Sequence, residues 1–270
     1  MGMIFHEFLI RPILTILVII YQGLVLMHVP YPLGFSIIVL TILIRFITYP
    51  LITAQLRVSK KMQDLAPHLS RVKERHKNDA TRIQQETMKL YKEHGVNPLA
   101  GCLPSLLQLP IIWALYSVLT QIISLAPNTI VAKVNADIYF LQFKLTSPWD
   151  QHFFGLPLGQ NPSHLFAAMP LIMLVPVLTG VFQLIQSKMM FAKPQQTTEK
   201  KEDDFASAFQ TQSTYIFPVM IAFFSYNFPL GLSLYWNTFT VFGILQQYQI
   251  SGLGGLKDWI DVLWKLKSKK

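Results

Sequence analysis

The sequence predicts an all-α membrane protein with five spans and a charged helical hairpin on its cytoplasmic side. Three observations carry that expectation. Of 270 residues, 51% are hydrophobic and only 14% charged, with a mean hydropathy of +0.37, whereas a soluble domain carries about a quarter charged residues. Five apolar stretches, 32–56, 98–125, 165–187, 214–228 and 229–250, approach or exceed the length needed to cross a bilayer, about 20 residues at 1.5 Å rise each. The charges are segregated: the net charge is +9, and Lys and Arg gather in segments that the positive-inside rule places in the cytoplasm.

The N-terminal segment, 1–31, is apolar almost all round over 8–27, which fits a span. Arg11, Thr15 and Gln22 nevertheless fall near one face and Pro12 interrupts the start, which fits a helix lying in the interface. No small-x-small cleavage site follows, so a signal peptide is not expected. Spanning and interfacial placements both remain open on this pattern.

Segment 57–97 carries ten Lys/Arg against five acids, and 126–164 carries only Lys133 and Lys144 against two acids. The tail 251–270 has five lysines against Asp258 and Asp261. The first segment and the tail are therefore expected inside and 126–164 outside, which agrees with the parity of five spans. Within 57–97, Met62, Leu65, Leu69 and Val72 repeat at helical spacing, as do Ile83, Thr87 and Leu90. Asn78 or Asp79 is placed to cap the second helix, Gly95 to end it, and Asn97-Pro98 to start the next. Pro67 should kink or break the first arm. Segment 188–213 is polar and mixed in sign around 194–204, and mobility is expected there. The turn from Asn227 to Gly231 folds the fourth and fifth stretches into a helical hairpin.

Arg45 lies about eleven residues from either end of its span, near mid-bilayer, where an arginine costs about 2.5–3.5 kcal/mol on insertion scales. No Asp or Glu occurs in any of the five spans, so an ion pair within the membrane is excluded by inventory. Hydration in a cavity, hydrogen bonding to oxygens, a transient acidic partner and snorkelling to one interface remain. Polar stripes favour a shared hydrophilic groove: Thr41, Arg45 and Thr48; Thr179, Gln183 and Gln186; Ser233, Asn237 and Thr240, with Gln247 and Gln108 nearby. Each stripe alone could equally be hydrogen-bonding glue between helices. Tyr235 and Trp236 either line that groove or anchor at an interface. Six prolines within spans (50, 104, 110, 170, 176, 218) suit a malleable bundle.

Enzyme chemistry is not expected. The seven histidines form no HExxH or Cys/His cluster, and Cys102, the only cysteine, reads as a small apolar residue. No Gly-rich phosphate loop or GxSxG occurs. No cofactor or metal is expected.

The run from Thr41 through Arg45 to Pro50-Leu51, then Ser59-Lys60-Lys61-Met62-Gln63 and Gln85 to Lys92, resembles the YidC/Oxa/Alb membrane protein insertases. So do Val96-Asn97-Pro98-Leu99-Ala100-Gly101-Cys102-Leu103-Pro104, Phe228-Pro229-Leu230-Gly231-Leu232 and Leu234-Tyr235-Trp236. The likeness covers roughly 8 to 250 in order. It implies a five-span core with a hydrophilic groove open to cytoplasm and lipid. Arg45, Thr41, Trp236 and Gln186 match groove positions, and Gln183, Asn237 and Tyr235 join them from the polar stripes. The resemblance makes 57–97 the substrate-recruiting hairpin, with Lys60, Lys61, Met62, Arg71 and Tyr91 as its candidate contacts, and it favours an interfacial N-terminal helix. The implied activity is insertion and folding of membrane proteins at the bacterial plasma membrane. The implied partners are nascent membrane proteins with short acidic external tails, the ribosome through the basic tail and cytoplasmic loops, the Sec translocon and anionic lipids. The large periplasmic domain of Gram-negative members and the lipobox cysteine of many Gram-positive ones find no counterpart, so a short form is expected. Two rivals follow from the same arginine: an anion or solute transporter, which predicts an internal repeat and broken helices, and an assembly scaffold indifferent to groove substitutions.

Overall fold

The computed structural model describes residues 2–76, 79–97, 103–120, 127–190, 211–257 and 259–261. Helix dominates, as the apolar composition requires where lipid offers backbone groups no partner. The chain opens on α1 (Gly2–Phe5), a π turn (His6–Ile10) and α2 (Arg11–Leu26). Pro12 sits at the start of α2, where its missing N–H costs least. Helix α2 buries Ile13, Leu14, Leu17, Val18 and Tyr21, one stripe at helical spacing.

After Tyr31, α3 (Pro32–Arg75) runs 44 residues without interruption, about 66 Å at 1.5 Å per residue. The expected break at Pro67 does not occur: both Pro50 and Pro67 lie inside one helix. A proline deletes a single intrahelical bond, and the flanking turns keep theirs. Segment 32–56 and the first hairpin arm thus share one continuous helix. Helix α4 (Ala80–Glu93) follows. Its start is capped by Asp79, whose Oδ1 accepts the Arg82 N–H at 2.9 Å. Its end is a Schellman motif, in which Gly95 (φ +62°) donates to Lys92 O at 3.1 Å and Val96 to Tyr91 O at 2.8 Å.

Next come α5 (Leu103–Val118), α6 (Pro127–Asp137), the two-residue strands β1 (His152–Phe153) and β2 (Leu156–Pro157), and α7 (Pro162–Leu165). The strands pair antiparallel with Phe153 opposite Leu156. A 3-10 turn (Pro170–Met173) leads into α8 (Leu174–Met190). A π turn (Gln212–Ile216) leads into α9 (Phe217–Asn227), and α10 (Leu230–Ser251) follows after the expected tight turn. Helical runs Met3–Leu26, Pro32–Arg75 and Pro170–Met190 are long and apolar enough to cross a membrane, with a shorter apolar helix at Gln108–Val118. The start of the second span at Pro98, Cys102, most of 188–213 and the end of the basic tail fall outside the described residues.

The chain forms two compact units. The first comprises Met1–Thr48, Leu106–Phe182 and Val219–Phe242. Its core joins Leu14, Leu17 and Val18 to Leu33, Ile37, Ala114, Val118, Ile130, Trp149, Leu158 and Tyr235. Of segment 126–164, expected as an external loop, residues 127–164 are folded and pack on α2. Arg11 Nε donates to Asp137 O at 3.1 Å, Gln22 Nε2 to Phe143 O at 2.8 Å, and Tyr139 N to Thr15 Oγ1 at 3.4 Å. The polar face of α2 that suggested interfacial placement is therefore satisfied by protein.

The motif Phe228-Pro229-Leu230-Gly231 also finds its physical reason in this unit. At the start of α10, where backbone N–H groups lack helical partners, Leu230 N donates to Gln160 O at 2.9 Å and Gly231 N to Leu158 O at 2.8 Å. A Cβ on Gly231 would lie 2.8 Å from Leu119 Cδ2. Asn161 Nδ2 reaches Asn227 O at 2.7 Å, closing the end of α9.

The second unit comprises Tyr49–Ser105, Gln183–Pro218 and Gly243–Lys270. There Gln63 Nε2 donates to Met189 O at 3.3 Å and also to Met190 O, satisfying the last carbonyls of α8. Lys188 Nζ lies 4.2 Å from the Tyr215 ring centroid and 4.4 Å from that of Trp259. Gln246 Nε2 reaches Thr53 Oγ1 at 3.0 Å.

Candidate functional site

Helix α3 carries Thr41, Arg45 and Thr48 on one face. The two threonines turn their hydroxyls back on their own helix, Thr41 Oγ1 to Ile37 O at 2.6 Å and Thr48 Oγ1 to Ile44 O at 2.8 Å. Arg45 is 2% exposed. Its Nε donates to Phe239 O on α10 at 3.0 Å, and Nη2 donates to the same oxygen. Its Cζ lies 3.4 Å from the centroid of the Phe239 ring and 5.8 Å from that of Phe242. Phe46 closes edge-on against Phe242 at 5.5 Å.

Among the described residues no carboxylate pairs with Arg45, as the inventory of the spans required. Of the alternatives left open, hydrogen bonding to a backbone oxygen is realised, reinforced by an aromatic face. A carbonyl dipole and a ring quadrupole stabilise a guanidinium without cancelling its charge. The site therefore retains a net positive charge in buried surroundings, where attraction for an anion is strong.

Tyr235 is buried, and its hydroxyl accepts from Gln108 Nε2 at 2.5 Å. Its ring lies 5.8 Å from that of Phe239. Asn237 is half-buried and Thr240 fully buried. The atoms Asn237 Oδ1 and Thr240 Oγ1 are buried without a hydrogen-bond partner among the described residues. Trp236 is half-buried. The first unit thus brings Arg45, Thr41, Tyr235, Trp236 and Asn237 onto two helices, α3 and α10, that touch at Arg45.

Gln183 and Gln186 belong to the second unit, Gln183 buried and Gln186 half-buried. Thr179 and Ser233, members of two expected polar stripes, act as glue. Thr179 Oγ1 lies 3.2 Å from Ser225 Oγ, which lies 2.8 Å from Ser233 Oγ. Sequence reasoning missed Phe239, because no pattern marks the carbonyl of an apolar residue as the partner of an arginine 194 positions away.

On the hairpin, Lys60, Lys61 and Arg71 are exposed, while Met62 and Tyr91 are half-buried. A shallow depression on α4 is lined by Gln84, Gln85, Met88, Lys89, Lys92 and Glu93. The exposed Met88 among lysines at i+1 and i+4 was a legible signal, although it belongs to none of the polar stripes. Among the described residues no group of three His, Cys, Asp or Glu side chains is placed to hold a metal.

An all-α polytopic membrane protein that buries an arginine among aromatic and hydroxyl side chains, with no carboxylate to neutralise it among the described residues, is the class that fold and site define. The chain belongs to the 60Kd inner membrane protein family, the YidC/Oxa/Alb group, whose model matches residues 25–254. It is 35% identical over 221 residues to the membrane protein insertase YidC of Fusobacterium nucleatum, covering 82% of this chain and 87% of that protein. It is 35% identical to the membrane protein insertase MisCA of Bacillus subtilis, over 81% of this chain and 70% of that protein. The ALBINO3-like protein 1 of Arabidopsis thaliana chloroplasts is 32% identical over 95% of this chain and 50% of its own length. The chain thus spans about half the length of its plant relatives.

Proposed function

We propose that this chain is a membrane protein insertase that acts without nucleotide or cofactor, through a hydrophilic groove centred on Arg45. The observation that carries the reading is the buried guanidinium with no carboxylate partner among the described residues. Family membership supports it, as do the names of the bacterial relatives. A nascent chain with a short acidic external tail lends its carboxylate to Arg45 for the duration of transfer. The polar atoms of Thr41, Asn237, Thr240 and Tyr235 lower the cost of carrying hydrophilic residues part-way across. The apolar segment then moves into lipid, and its burial, at roughly 25 cal/mol per Å², drives the step. A permanent internal carboxylate would compete with substrate, so the missing partner is what this mechanism needs.

In the same reading the five spans leave 126–164 outside and the C-terminus in the cytoplasm. Lys60, Lys61, Met62, Arg71 and Tyr91 on the hairpin receive substrate, and the basic segments meet ribosome, translocon or anionic lipid. The N-terminal helix lies in the interface. The test is insertion of a single-span substrate with an acidic tail into vesicles holding wild type, Arg45→Ala or Arg45→Lys. Loss with Ala and retention with Lys are expected. Full insertion with Ala overturns the role of the charge.

A further inference from the structure

A guanidinium offers five N–H donors in a planar fork. In Arg45, Nε and Nη2 both donate to the single oxygen of Phe239, so the side edge of the fork is spent. Nη1 makes no hydrogen bond to the described residues. The end edge, from Nη1 to the outer hydrogen of Nη2, is therefore what the group has left. One face of the plane is covered by the Phe239 ring, with Cζ 3.4 Å from its centroid, and the Phe242 ring stands at 5.8 Å with Phe46 packed against it. An arginine held by one edge and one face can swing in neither direction, and its free end has the geometry that binds a carboxylate through two parallel bonds.

We propose that Phe239 is the positioning residue of this site: its carbonyl and ring together aim the free end of Arg45 at one carboxylate of an incoming chain. The inference rests on the insertase reading for the identity of the anion, but the aiming itself does not. Phe239 sets how well an anion is captured and contributes no charge of its own. Substrates with an acidic residue depend on it, and substrates lacking one do not.

The test uses the full chain in lipid nanodiscs and two readouts. The first is the rate at which phenylglyoxal modifies Arg45, followed by mass spectrometry of its peptide. Phe239→Leu keeps the carbonyl and removes the ring, and is expected to raise that rate roughly thirtyfold, the size of a desolvated cation–π contact. Phe239→Trp, which restores a ring face, is expected to return it close to wild type, a rescue that packing alone does not provide. Retention of a cooperative melt shows that each variant is folded, with Phe239→Met as the substitute if Leu is not. Equal rates in wild type and Phe239→Leu overturn the positioning contact. The second readout is insertion of an acidic-tailed substrate beside one whose tail carries no acid: Phe239→Leu is expected to lower insertion of the first and to leave the second unchanged. An equal loss with both substrates overturns the proposal even where the arginine itself proves necessary. Labelling is read without substrate, so failure of the insertase reading leaves the labelling result standing.

Discussion

Removing one oxygen atom at Tyr235 tests whether the polar contacts of the first unit hold it together. The Tyr235 hydroxyl is the acceptor for Gln108 Nε2 at 2.5 Å, and the tyrosine is 1% exposed. Tyr235→Phe keeps the ring in the core and strands the Gln108 amide. An unsatisfied buried donor costs about 1–3 kcal/mol, whereas hydrogen bonds between membrane helices average about 0.6 and reach about 1.7 kcal/mol in double-mutant cycles. The overlap of these ranges puts Tyr235→Phe near 1–2 kcal/mol. With about 2–4 °C per kcal/mol for a chain of this size, the melting temperature falls by about 2–8 °C. Gln108→Leu removes the stranded group, so the double variant regains much of the loss. The assay is thermal unfolding of all four proteins in one detergent, read as a double-mutant cycle. Strictly additive single effects would refute the reasoning, because the two groups would then not be interacting.

Gly34 is held small by its neighbour: a Cβ there would lie 2.0 Å from Phe153 Cδ2. Gly34→Ala is expected to destabilise by about 1–3 kcal/mol through overpacking, measured as a lower melting temperature, with Phe153→Ala relieving it. Partial burial pushes the Asp150 carboxyl up, but bonds from the His152 backbone N–H and imidazole outweigh it and hold the group below its ordinary value of 3.8. A folded-state pKa below the unfolded one means the contact stabilises the 150–157 turn above pH 3.8 and is lost as pH falls below it. Amide exchange at His152 reads this, and Asp150→Asn is expected to abolish the dependence.

What the sequence disclosed was mostly local. Asp79 as cap, Gly95 as terminator and the turn at Pro229 all act within one helical turn, where spacing and structure are nearly the same statement. The isolation of Arg45 was legible for another reason: an absence of acids is a property of composition and needs no coordinates. Arg11 has one local partner, the Glu7 carboxylate at 2.6 Å, but the contacts that Arg11, Thr15 and Gln22 make with Asp137, Tyr139 and Phe143 were not legible, since they lie more than a hundred residues away and are all to backbone groups, which every residue carries. The same holds for Phe239. Thr179 and Ser233 left groove lining and glue both open, because a hydroxyl has the same pattern whether it meets water or Ser225. Of the two outcomes expected at Pro67, a kink or a break, the break is absent because the flanking turns keep their own bonds.

Helix α10 is fastened twice within the first unit. At Gly231 its leading N–H groups are tied to the oxygens of Leu158 and Gln160, and eight residues on it presents the oxygen that holds Arg45. Those points are about 12 Å apart on one stiff rod. A slide of α10 by a single residue step would undo both fastenings together. The arginine's grip and the seating of the 158–160 turn therefore gauge one register: a shift of α10 disturbs both, whereas rotation of the Arg45 side chain releases only the first.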